Sequence, residues 1–139
     1  MDLRPPSRQD RTRDPALESR CALPLGVHAV AEARRFVERA LGRWEQHDDG
    51  TVALVVSELV TNAVLYGHGA GTMLLRLGPD RITVEVSDRS AAVPTTRPAA
   101  DDSEIGRGLH IIEAASLGWG VRAQGEGKVV WCDLPLPAA

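Results

Sequence analysis

Apolar positions between residues 27 and 44 return at Val30, Ala33, Phe36, Val37 and Leu41, the spacing of a helix with one greasy side. Residues 51–66 are nearly continuous in apolar side chains, which predicts a second helix buried over most of its surface. Asp48, Asp49 and Gly50 supply a loop and a cap ahead of it, and Gly67 a stop behind it. The period then falls to two. Residues 81–88 place Ile82, Val84 and Val86 on one face and Thr83, Glu85 and Ser87 on the other; the turn Gly78-Pro79-Asp80 joins them to a strand at 72–77. Gly106-Arg107-Gly108 opens a third helix with Ile105, Leu109 and Ile112 as its inward stripe. Strands at 119–122 and 129–134 close the pattern around a turn at 125–127, and residues 16–23 suit a first strand. A sheet with one greasy and one polar face takes helices on one side only. The expected fold is therefore an α+β two-layer sandwich, with a mixed, mostly antiparallel sheet.

Two segments stand outside these periods. Residues 1–15 mix prolines with alternating Arg and Asp and hold almost no apolar surface, so they are expected to be a disordered tail on a single domain spanning 16–139. Residues 90–104 contain Pro94 and Pro98 and end in Asp101-Asp102-Ser103-Glu104; a connection this long in a compact domain suits a lid or binding loop.

Composition narrows the function. With 139 residues the chain has room for one real core but not two. A formal net charge of −3 argues against a nucleic-acid surface. No apolar run reaches the roughly 20 residues of a membrane span and no hydrophobic leader is apparent, so a cytoplasmic protein is expected. Cys21 and Cys132 fall in strand-like segments without metal-ligand spacing and read as small hydrophobes. Of the 16 basic residues Lys128 alone is lysine, a bias that fits a GC-rich bacterial genome.

The chemistry concentrates at few positions. Asn62 is the only asparagine, and it follows Glu58 by four residues, so the two project together from a greasy helix. An amide and a carboxylate side by side suit Mg²⁺ with a phosphate-bearing ligand, although an ordinary solvated stripe has the same spacing. Asp88 has the parity of the covered face, where a carboxylate needs a dedicated partner; a turn residue just past the strand is the alternative. Gly106, Arg107 and Gly108 at a helix N-terminus offer free N–H groups and positive charge to a phosphate, or mark only a loop. His28, His47, His68 and His110 show no ligand spacing. Trp44, Trp119 and Trp131 read as packing residues, Trp131 with outward parity.

A helix bearing Glu-Leu-Val-x-Asn-Ala, a strand ending in Asp, a long loop and Gly-x-Gly-Leu, in that order over residues 16–136, resemble the GHKL ATPase superfamily with its Bergerat nucleotide-binding fold. Within it the chain looks most like small ATP-binding proteins related to anti-sigma-factor serine kinases of bacteria. The resemblance implies ATP and Mg²⁺ as cofactors. Asn62 would ligate the metal, Glu58 would be the general base and Asp88 would accept the adenine amine. Gly106, Arg107, Gly108 and Leu109 would form the phosphate motif, with residues 89–105 as the lid. It further implies a sigma factor and an antagonist protein as partners and allows a homodimer. A non-catalytic, nucleotide-gated binding module is the other reading; a histidine-kinase fragment is disfavoured, because the chain has no room for a phosphoacceptor hairpin. Three departures separate the chain from the family pattern. Ser90 and Ala92 stand where glycines are common, Val129 follows Gly127-Lys128 where threonine is common, and the loop is poor in glycine.

Overall fold

The computed structural model describes residues 17–67, 70–90 and 104–136, with backbone alone at residue 70 and residues 104–107. In chain order the elements are β1 (Glu18–Ala22), α1 (His28–Arg43), α2 (Thr51–Tyr66), β2 (Ala70–Leu77), β3 (Arg81–Asp88), α3 (Glu104–Ala115), β4 (Gly118–Gln124) and β5 (Gly127–Pro135). The expected tail at 1–15, most of the expected lid and His68 lie outside the described residues.

The strands form one five-stranded sheet in the order β1-β2-β3-β5-β4. Every pairing in it is antiparallel, which bears out the expected α+β sandwich and takes its mostly antiparallel sheet to the limit. The reason lies in the connection through α3. It carries the chain past one strand position, and β5 folds back into that gap, so β3 and β4 run alike but never bond each other.

One sheet face carries the core. Burial along β3 alternates without a break, Ile82, Val84, Val86 and Asp88 being covered. Met73, Leu75, Cys132 and Leu134 join them from the neighbouring strands, against Val55, Val56 and Val60 of α2 and Leu109 and Ile112 of α3. The covered stripe of α1 runs through Ala29, Ala33 and Ala40, small residues that let it lie close to α2. Asp48 anchors the start of α2: its carboxylate accepts from the N–H groups of Gly50 and Val52 (both 3.1 Å) and of Ala53 (3.1 Å), donors that the first helical turn leaves unpaired.

The other face is polar and free of helices among the described residues. Glu18, Arg76, Glu85 and Arg122 form a chain of ion pairs across it, with contacts of 2.8, 3.5 and 2.8 Å. Trp131 does face outward, as its parity predicts, and its indole lies over Gly120, where an added Cβ would come within 2.8 Å of the ring. No described helix is long and apolar enough to cross a membrane.

Candidate functional site

Glu58 and Asn62 leave α2 on the side that meets the first turns of α3. The contact is close because residue 108 is glycine: a Cβ there would sit 2.7 Å from Glu58 Oε2 and 3.6 and 3.7 Å from the Asn62 amide atoms. Both side chains are half-buried, and among the described residues neither is engaged in a hydrogen bond or ion pair. An uncommitted carboxylate and amide therefore converge on backbone that carries no side chain of its own. Glycine at 108 is what lets α3 lie this close to both groups.

The third helix begins at Glu104, two residues earlier than expected. The N–H groups ahead of the first intrahelical bond lack partners within the helix, so the backbone of Gly106 falls in the donor-rich turn, while Arg107, the fourth helical residue, is where the helix's own bonding begins. Gly108 lies beyond that turn, and its contribution is the close approach of α3 to Glu58. The Arg107 side chain lies outside the described atoms. Leu109, expected in the phosphate motif, is fully buried, and its part is to seat α3 on the core.

Asp88 ends β3 on the covered face, as parity predicts, and is 8 % exposed. Its Oδ1 accepts from Lys128 Nζ at 2.9 Å and from the Ser90 N–H at 2.9 Å; the ammonium also donates to the Ser90 carbonyl at 3.0 Å. Lys128 is itself 5 % exposed, so the pair is buried and tied into main chain. Its Oδ2 lies against Gly67, where a Cβ would stand 2.7 Å away. The end of α2 thus backs directly on the carboxylate, an approach that a side chain at 67 would block.

Sequence reasoning missed Lys128 and Gly67. Lys128 is the direct cross-strand partner of Asp88, and only the register of β3 against β5 reveals that. The signal was present in parity, since Lys128, Val130, Cys132 and Leu134 alternate toward the covered face. The same parity changes the meaning of Val129. It looks to the opposite face, where it helps line a cavity of about 390 Å³ with Arg20, Arg76, Glu85 and Arg122. Its lack of a hydroxyl therefore takes nothing away at Asp88.

Among the described residues no three His, Cys, Asp or Glu side chains gather in a way that could cage a metal. Mg²⁺ is commonly bound by one or two protein oxygens together with substrate phosphates, and Asn62 beside Glu58 fits that mode.

Burial pushes the Cys132 thiol up to about 12, with Asp133 adding to the effect, so it has no nucleophilic part to play near neutrality.

A search of curated proteins finds no match to the chain. A family model described as a histidine kinase-like ATPase domain matches residues 23–133, which takes in Glu58, Asn62, Asp88, Gly108 and Lys128. The α+β fold and that match lead to one conclusion: the chain belongs to the histidine kinase-like ATPase domain family and is built to bind ATP.

Proposed function

We propose that the protein is an ATP- and Mg²⁺-dependent protein-serine kinase of the anti-sigma type, which binds a sigma factor and phosphorylates a serine of a small antagonist protein. The observation that carries this reading is the convergence of Glu58 and Asn62 on Gly108. Phosphoryl transfer asks chiefly for positioning and charge neutralisation. Asn62 would hold the metal, which when bound neutralises charge on the phosphates. The N–H groups at the start of α3 would face those phosphates, and Glu58 would take the proton of the attacking serine. Asp88 would accept the adenine amine through Oδ2. Glu58 and Gly67 are nine residues apart, about 14 Å along a helix, a span suited to base and terminal phosphate at opposite ends of one nucleotide. The sigma factor and antagonist come from the family resemblance of the motifs.

The second reading, a nucleotide-gated binding module without catalysis, draws its support from Asp88, one oxygen of which is already engaged by Lys128. Glu58→Ala separates the two. For a kinase, the variant keeps Mg-ATP and partner binding but transfers labelled γ-phosphate to the antagonist about 10²–10⁴-fold more slowly, the scale of general-base catalysis. Equal transfer by variant and wild type would remove Glu58 from the chemistry. No transfer by wild type to any antagonist serine would leave the binding module standing.

A further inference from the structure

The ion pair at the end of β3 has a consequence for which base the site accepts. Hydrogen bonds to Asp88 within the described residues all fall on Oδ1, two of them, from Lys128 and from Ser90. The ammonium is in turn held by the Ser90 carbonyl, so its position is fixed from two sides. Both ends of the pair are almost out of solvent, with side-chain exposures of 6 % for Lys128 and 3 % for Asp88. Oδ2 lies against Gly67 and carries no hydrogen bond within the described residues, so it is the oxygen left to meet an incoming group. A carboxylate in an ion pair only accepts hydrogen bonds, so Oδ2 welcomes an amine and repels a carbonyl oxygen.

We propose that Lys128 is the specificity-determining residue of the site: by occupying Oδ1 and supplying the opposite charge, it leaves Asp88 one oriented, acceptor-only oxygen and makes the pocket select a base with an exocyclic amine over one with a carbonyl there. The inference rests on Asp88 as the base-accepting group of the proposed function. Lys128 acts through Asp88 and is a positioning residue. Without the ammonium Oδ1 loses its charged partner, the carboxylate is held by the Ser90 N–H alone, and its bearing on the base is no longer fixed. Discrimination is lost even where binding survives. A lysine that served stability alone would, when replaced, weaken both kinds of nucleotide alike.

The test compares ATP with inosine triphosphate, which carries a carbonyl oxygen in place of the amine. Calorimetry on the wild type is expected to favour ATP by about 10- to 100-fold, the scale of a hydrogen bond to a charged group. Lys128→Gln keeps hydrogen-bond donors but removes the charge, and its ratio is expected to fall to within about threefold of unity, the protein remaining folded by circular dichroism. Lys128→Arg restores the charge and most of the preference. Should Lys128→Gln fail to fold, Lys128→Met, of similar length and apolar, gives the same comparison. A folded Lys128→Gln or Lys128→Met with the wild-type ratio overturns the role of Lys128, as does a wild type that binds both nucleotides equally. A wild type that binds neither sinks the ATP reading itself, which is a different failure.

Discussion

At the scale of the residue, the pair Asp88–Lys128 is the most consequential contact in the molecule. Two charges out of water are held only while each has the other; removing one partner of such a pair costs about 3–5 kcal/mol, whereas replacing both by neutral groups is often tolerated. Asp88→Asn is therefore expected to lower unfolding stability by about that amount, and Asp88→Asn combined with Lys128→Met to recover most of it, measured by urea denaturation. An Asp88→Asn protein as stable as wild type would mean that the ammonium reaches solvent and is not captive. Glu58 and Asn62 were legible in the sequence, because i,i+4 placement is local geometry that needs nothing but a helix. The partner of Asp88 was not. Lys128 lies 40 residues away, and its side chain meets Asp88 only because β5 slots beside β3 in one register. As a linear motif Gly127-Lys128-Val129 points to Val129, which the pleat turns to the other face.

At the scale of the element, boundaries were readable wherever a strong punctuator stood. The second helix and the third strand fall where the sequence puts them, residue for residue, because the carboxylate of Asp48 fixes one start, Gly67 one end, and the turn at 78–80 another start. The strands β2, β4 and β5 are longer than expected, at ends such as Gly71, Gly118 and Gly127, where glycine gives a period-two pattern nothing to read. Helix α3 holds the sharpest conflict between propensity and use. Gly108 sits inside it, where alanine would stabilise a helix by about 0.5–1 kcal/mol, yet an added methyl would press on the Glu58 carboxylate. That carboxylate is the movable end of a flexible side chain. Gly108→Ala is thus expected to be as stable as wild type or slightly more so, while phosphotransfer falls. Loss of stability with unchanged phosphotransfer would show that the glycine serves packing alone. Opposite signs in the two assays are the signature of a glycine kept for the freedom of Glu58 and not for the helix.

At the scale of the whole molecule, the covered face makes the fold sensitive to alkali. The Cys132 thiol is raised in the folded protein from 9.0 to about 12, chiefly by burial. Above the unfolded value the unfolded chain gives up this proton while the native state retains it, so stability falls as pH rises through that window and is intact below it. Cys132→Ala is expected to be less stable than wild type near neutral pH, yet to lose less between about pH 8 and 11, followed by urea midpoints. Parallel curves for the two proteins would show that the thiol is not out of reach of base. The sheet order has a consequence in time. The strand between β3 and β4 is the last described element of the chain, so a ribosome delivers this interior strand after both of its neighbours. Until residues 127–135 emerge, β3 remains a bare edge, a template for pairing with another nascent chain. Lys128 arrives with that same strand. Completion of the sheet and formation of the Asp88–Lys128 ion pair are one late step, so a half-made chain has neither its fold nor the buried charge pair at the end of β3.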